Sequence, residues 1–260
     1  MRKFIIISSL FTCLYGKVRV VSSTSDIADI VKVIGGENVT VTSIARGNQD
    51  PHYVEILPSY MVKVRKADIY FMVGMELDLW AQQIINGSRN QKVMVVDCSV
   101  EINKMEVPTG QIDASMGDIH RFGNPHYWLD PRNGKKIANT MAREYALIDL
   151  KNASSYQKRL ELFNSEMDQL YEELLEHAQI IQDVPFIVLH DSWSYFADAF
   201  GLNLVGTFQP YGSHGPSPKY LKMLQDKTGN HDVKVVFSEP QYPIDVLRSF
   251  ADDNGLKIAN

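Results

Sequence analysis

Beyond an apolar N-terminal stretch, short β-rich runs alternate with amphipathic segments along most of the chain. Val18–Ser22 reads as a first strand. Ser25 is placed to N-cap a helix through Ile27, Ile30, Val31 and Ile34, which Gly35 and Gly36 end. Residues 39–44 form a second strand, 45–56 a loop, and Pro58 opens a helix over 59–66. The apolar run 68–73, a helix over 79–85 and a strand over 93–96 follow. Strands that are apolar along their whole length and separated by helices predict a parallel sheet covered on both faces.

Residues 97–125 break the rhythm with a loop carrying Gly, Pro and Asp, and loops of that length inside compact domains are commonly functional. Pro131, at a favoured first-turn position, then opens a helix to about residue 150. A long charged helix over 154–182 comes next, with Leu160, Phe163, Met167, Leu170, Leu174 and Leu175 at spacings of three and four. The alternation restarts with strands at 186–189, 202–206, 234–237 and 256–259, and helices at 193–200, 220–227 and 244–254. The pattern predicts an α/β protein of two lobes, each a parallel sheet flanked by helices, bridged by one long connector helix. The expected division is 17–150, a connector over 151–183, and 184–260; no internal sequence repeat is evident.

The N-terminus changes that picture only at its edge. Arg2 and Lys3 precede a short apolar run over 4–16, too short to span a bilayer and suited to the core of an export signal over 1–16. Export places the protein in the periplasm or another extracytoplasmic space. Cys13 falls within that signal, where Phe11 and Thr12 make a poor lipidation site. Cys98 then stands alone, so neither an internal disulfide nor a thiolate-rich zinc site can form. With 45% hydrophobic and 22% charged residues in 260, the chain is not disordered, and a net charge of −5 argues against nucleic acid as partner.

Histidines supply the candidate chemistry. His177 reads as a solvated residue on the charged connector and His231 as a turn residue. His52, His126 and His190 differ: each stands at a strand exit or helix entry, the edge where open α/β sheets bind ligands. Pro51 and Pro125 stiffen the backbone just before two of them. Three neutral imidazoles suit zinc and leave one position for a carboxylate or water, while Asp50, Asp130 and Asp191 stand where they could orient the rings. Trp128, Trp193, Tyr127 and Phe196 are expected to pack the cleft walls.

Asp50-Pro51-His52, then the run from Asn124-Pro125-His126 to Asp130-Pro131, then His190-Asp191-Ser192-Trp193, resemble the ZnuA/TroA-like family of solute-binding proteins. The likeness runs from Val18 to the end and includes Ser238-Glu239-Pro240-Gln241. It implies an extracytoplasmic receptor, not an enzyme, that passes zinc or manganese to the permease of an ABC importer in the inner membrane and works as a monomer. It also implies His52, His126 and His190 as metal ligands. The family's fourth ligand is typically an Asp just after the strand read here at 256–259, and this sequence runs to Asn260. Either the C-terminal lobe is truncated there or the position is filled otherwise, with Glu239 a candidate. A His-rich loop, carried by many zinc receptors, is absent; His120 and His214 are candidate accessory ligands. Histidine as third ligand resembles the zinc receptors and a carboxylate there the manganese or iron receptors, and imidazole favours zinc over harder Mn²⁺.

Two rivals share parts of this pattern. A zinc hydrolase also holds its ion on three histidines with an open position, yet the sequence has no H-E-x-x-H and no acid–base residue with a motif of its own. A surface adhesin would require an exposed apolar patch.

Overall fold

The computed structural model describes residues 16–109, 120–209 and 215–259. Residues 1–15 of the expected export signal, and His214, lie outside them. Two four-stranded sheets, parallel throughout, organise the described chain. The first comprises β1 (Val18–Ser22), β2 (Val39–Ser43), β3 (Ile69–Met72) and β4 (Met94–Asp97), in the order β2-β1-β3-β4. The second comprises β5 (Phe186–His190), β6 (Leu204–Gln209), β7 (Val235–Phe237) and β8 (Lys257–Ala259), in the order β6-β5-β7-β8. The two orders are the same, a likeness the sequence does not reveal.

Around the first sheet lie α1 (Ser25–Gly35), α2 (Pro58–Arg65), α3 (Trp80–Ser88) and α4 (Pro131–Ile148). Side chains alternate across the strands, so neighbours serve opposite faces. Val20, Ile69 and Phe71 pack with Ile27 and Val31 of α1 and Ile137 and Met141 of α4. Val21 and Tyr70 turn the other way, onto Val64 of α2 and Ala81 and Ile84 of α3. In the second lobe, Ile187, Leu189, Val205 and Val236 pack with α7 (Pro218–Asn230) through Leu224 and with α8 (Asp245–Asp253) through Leu247 and Phe250.

The helix α5 (Ala153–Ile181) has 29 residues, hence a length of about 43 Å at 1.5 Å per residue. Its first half gives Tyr156, Leu160 and Phe163 to the core of the first lobe. Near its far end Ala178 packs with Ala199 and Phe200 of α6 (Ser194–Phe200), with Leu174 and Leu175 beside them. Apolar residues packed into a core near each end of α5 make it the bridge that its sequence predicts. No helix among the described residues is long and apolar enough to cross a membrane.

Two local readings are corrected. The N-cap of α1 is Thr24, not Ser25: the Thr24 hydroxyl accepts from the Ile27 amide at 3.4 Å. The strand read at 202–206 is β6 at Leu204–Gln209, because Leu202 belongs to the cap of α6. Gly201 ends that helix with φ of +62°, and the Leu202 amide returns to the Ala197 carbonyl at 2.9 Å. Leu202 is apolar because it packs on that helix end, not because it continues a strand.

Candidate metal centre

Three loops or strand ends converge between the lobes. His52 lies in the loop from β2 to α2, and the Trp80 indole on α3 donates to the Pro51 carbonyl at 2.8 Å, holding that loop down. His126 closes the long connection from β4 and enters the short turn Tyr127–Leu129 before α4. The Tyr127 hydroxyl donates to the Val73 carbonyl at 2.6 Å, which fixes this entry against the first sheet. His190 is the last residue of β5.

His52 and His126 are built by the same device. The Asp50 carboxylate accepts from the His52 amide at 3.0 Å and stands 2.7 Å from its ring Nδ1. Asn124 does the same for His126, with its carbonyl oxygen 3.0 Å from the amide and 2.9 Å from Nδ1. An acidic or amide side chain accepting two residues on makes a turn that proline stiffens between them. Because each oxygen can only accept, Nδ1 carries a proton in both rings, which leaves Nε2 as the nitrogen available to a metal.

The three rings meet. Centroids of His52 and His126 are 5.4 Å apart, His52 and His190 5.3 Å, His126 and His190 5.0 Å. One ring nitrogen from each can be chosen so that all three lie within 4.8 Å of one another. His126 and His190 are each only 5% exposed. Burial, and then the neighbouring imidazoles, hold His126 well below the usual histidine range, so its ring stays neutral. A cleft of about 220 Å³ opens beside them, lined by Thr24, Arg46, Trp128, Glu239 and Tyr242 as well as His126 and His190. Imidazoles converging in a buried pocket are a donor set for a borderline cation such as zinc.

Residues 20–260 match the family model described as "ZnuA: Zinc-uptake complex component A periplasmic". The chain belongs to that family. Among curated relatives, the manganese-binding lipoprotein MntA of Halalkalibacterium halodurans is 23% identical over 243 residues, 93% of this chain and 77% of that protein. The high-affinity zinc uptake system protein ZnuA of Brucella abortus is 31% identical over 127 residues, 49% of this chain and 38% of that protein. A crystal structure of ZnuA superposes with a TM-score of 0.81 at 26% identity, covering 93% of this chain and 89% of the other.

Within this zinc-uptake component A fold, the acids read as orienting partners divide. Asp50 orients a ring as expected. Asp130 does not: its carboxylate caps α4 through the Arg132 amide and pairs with the Arg132 guanidinium. The carboxylate of Asp191 accepts from the Thr207 hydroxyl at 3.2 Å, and burial, with Glu106 repelling it, pushes that carboxyl up to about 7. Glu239 stands outside the histidine group. One of its oxygens accepts from Ser192 at 2.9 Å and from the Trp193 indole at 3.0 Å, bracing the turn after His190; burial raises its carboxyl above the usual range.

Asn124 is the residue sequence reasoning missed. While its oxygen holds His126, its amide nitrogen donates to Glu106 and to the Asp191 carbonyl, both at 2.8 Å, so it joins the two lobes directly behind the site. Glu106 adds a second link through the Ser194 hydroxyl at 2.7 Å. The signal for it was the repeated triplet itself, an aspartate or asparagine two residues before a histidine with proline between. The cleft aromatics pack as expected, Trp128 lying 5.3 Å from His126 and Trp193 beside Phe196. His177 and His231 are exposed.

Proposed function

We propose that this protein is an extracytoplasmic receptor that captures Zn²⁺ between its lobes on His52, His126 and His190 and delivers it to the membrane permease of an ABC importer. The observation that carries this reading is the convergence of three histidine rings with no carboxylate in the group among the described residues, and a donor set of imidazoles favours zinc over manganese. In this reading residues 17–150 and 184–260 are the two metal-gripping lobes, 151–183 is the connector, and residues 1–16 direct export. The ion is cargo, so the protein acts as a monomeric binding protein and not as an enzyme. A helix packed into both lobes limits hinge opening, and release proceeds by small lobe shifts.

A manganese receptor is the second reading, supported by the likeness to a manganese-binding lipoprotein across 93% of the chain. Calorimetric titration of the purified chain with Zn²⁺ and with Mn²⁺, alongside His126→Ala, separates them. Tight zinc binding that His126→Ala abolishes supports the zinc reading; tighter manganese binding supports the second; a dissociation constant unchanged in the variant removes both.

A further inference from the structure

Parallel strands all begin at one edge of a sheet, and in the first lobe that edge lies opposite the histidines. Lys17 precedes β1, and α2 ends beside Lys63, Arg65 and Lys66 just before β3. Arg89 and Lys92 lie in the turn between α3 and β4. Hydrogen bonds tie these segments into one surface. The Asp68 amide donates to the Arg19 carbonyl at 2.8 Å, and the Met94 amide to the Asp68 carbonyl at 3.1 Å. The Asn90 side-chain amide donates to the Val64 and Ala67 carbonyls at 3.0 and 2.8 Å, and Arg65 Nε to the Ser88 carbonyl at 3.2 Å.

With Arg19, seven cations stand on this edge, and all are exposed. Asp68 lies among them and is committed to Arg19. Glu37, just before β2, is the other acid that the strand starts bring here. Among the described residues the remaining six cations make no ion pair. Helix C-termini attract basic residues, which accounts for Lys63 and Arg65 in the last turn of α2 but not for Lys17 or Lys92, which lie outside helices. Acids collect at the other end, where Asp50, Asp78 and Asp97 follow or finish strands. The five residues of β1, at about 3.3 Å each, separate the two edges by about 16 Å. That is about twice the screening length of about 8 Å at physiological ionic strength. A chain of net charge −5 therefore presents this edge as a locally positive surface.

We infer that this edge is a docking surface for a membrane carrying anionic phospholipid headgroups, on which the first lobe stands with its metal cleft uncovered. Lipid phosphodiesters are spread over a plane and impose no register, so dispersed lysines and arginines on long stems suit them. Groups of about four to eight such residues beside a membrane segment bind anionic lipid. The chain also enters the fold here. Lys17 joins β1 to the apolar run over 4–16, so a membrane that receives that run meets the basic edge first. The family is a periplasmic one, and a bilayer is the extended anionic surface beside such a protein. Docking in this way keeps the protein at the membrane while leaving the lips of its cleft free, and it does not depend on which ion the cleft holds.

The test is co-sedimentation of the full chain with vesicles of phosphatidylcholine alone and of an equal mixture with phosphatidylglycerol. Each cation near such a surface changes partitioning roughly fivefold, so the parent is expected to prefer the mixed vesicles by more than about 100-fold at low salt. Raising the ionic strength is expected to remove most of that preference. Lys63→Gln, Lys66→Gln and Lys92→Gln combined are expected to weaken it by at least about tenfold, and the same three positions changed Lys→Glu to abolish it. Melting followed by circular dichroism is expected to match the parent for the neutralised variant, which separates lost docking from lost folding. Equal binding of the parent to both kinds of vesicle would overturn the inference, since the apolar run then acts alone. A preference that survives charge reversal would overturn it too. Tighter binding to soluble polyphosphate than to the mixed vesicles, at equal phosphate concentration, would assign the edge to a soluble polyanion instead of a membrane.

Discussion

The two lobes order their strands alike, yet they hold their histidines by different means. In the second lobe His190 ends a central strand and is registered against Gln209 of the neighbouring strand, so the sheet itself fixes the backbone. In the first lobe His52 and His126 ride on loops, and each is held by an Asp or Asn two residues earlier. A strand end inherits its rigidity from the ladder; a loop has to be given it locally. The cores differ in parallel, with extensive clusters on both faces of the first sheet and a much smaller one on the α5 side of the second.

The core difference has the largest expected consequence. Phe71→Ala, in the first lobe, should destabilise by about 3–5 kcal/mol in denaturant unfolding. Phe200→Ala, in the small cluster on α6, should fall toward or below the lower end of that range because fewer apolar neighbours lose contact. A larger loss at Phe200 would reverse the contrast between the lobes. Next in size, His190→Ala and His126→Ala should each weaken zinc binding more than about 100-fold, beyond the effect of losing an orienting partner. Measured dissociation constants that differ greatly between the two would mean that the lobes do not share one ion.

Asn124→Leu keeps the volume and removes the acceptor for His126 and the bond to the Asp191 carbonyl, and zinc affinity should drop about 10- to 100-fold. A drop below twofold by calorimetry would show that loop histidines need no such brace.

Acid acts on the two lobes with opposite signs. Burial depresses His126, so the unfolded chain takes up a proton that the folded site refuses, and stability is lost as pH falls below about 6.5. The Asp191 carboxyl is raised to about 7, so the folded state takes a proton that the unfolded chain does not. That contribution is complete below the ordinary carboxyl range, near pH 4, and fades as pH rises through 7. Asp191→Asn removes the second effect alone, and the melting temperature of the metal-free variant should fall more steeply between pH 7 and 5 than that of the parent. Parallel curves would place the Asp191 carboxyl in its ordinary range.

The smallest effect belongs to the edge of the first sheet remote from the histidines. Arg19 pairs with Asp68 at 2.6 Å and also donates its amide to it, but both side chains are substantially exposed. Asp68→Asn should change unfolding free energy by no more than about 1 kcal/mol and leave zinc affinity unaltered.

Most strands and helices were legible because their burial is written as period: continuous apolar runs for buried parallel strands, three-four spacing for α5. The boundary of β6 was not, since Leu202 is apolar for the sake of a helix cap, and hydrophobicity alone does not say which neighbour it serves. The three central histidines stood out by their position at strand exits or helix entries. Their orienting partners were half visible. Asp50 lies two residues from its ring, whereas Asp130 and Asp191, four residues and one residue from their histidines, turn to Arg132 and Thr207. Adjacency along the chain does not fix where a short side chain points.

By itself, then, the order of residues determined two parallel α/β lobes, a charged bridge between them, and histidines at the edges where strands end. Each of these follows from local periodicity, and a chain carries its periodicity in the open. Only the folded arrangement decided that Asn124 would tie His126 to the far lobe, that Asp130 would serve a helix end, and that His120 would touch His52 across 68 positions of sequence. Those outcomes depend on which groups compete for the same donor once the backbone has closed, and that competition exists only in three dimensions.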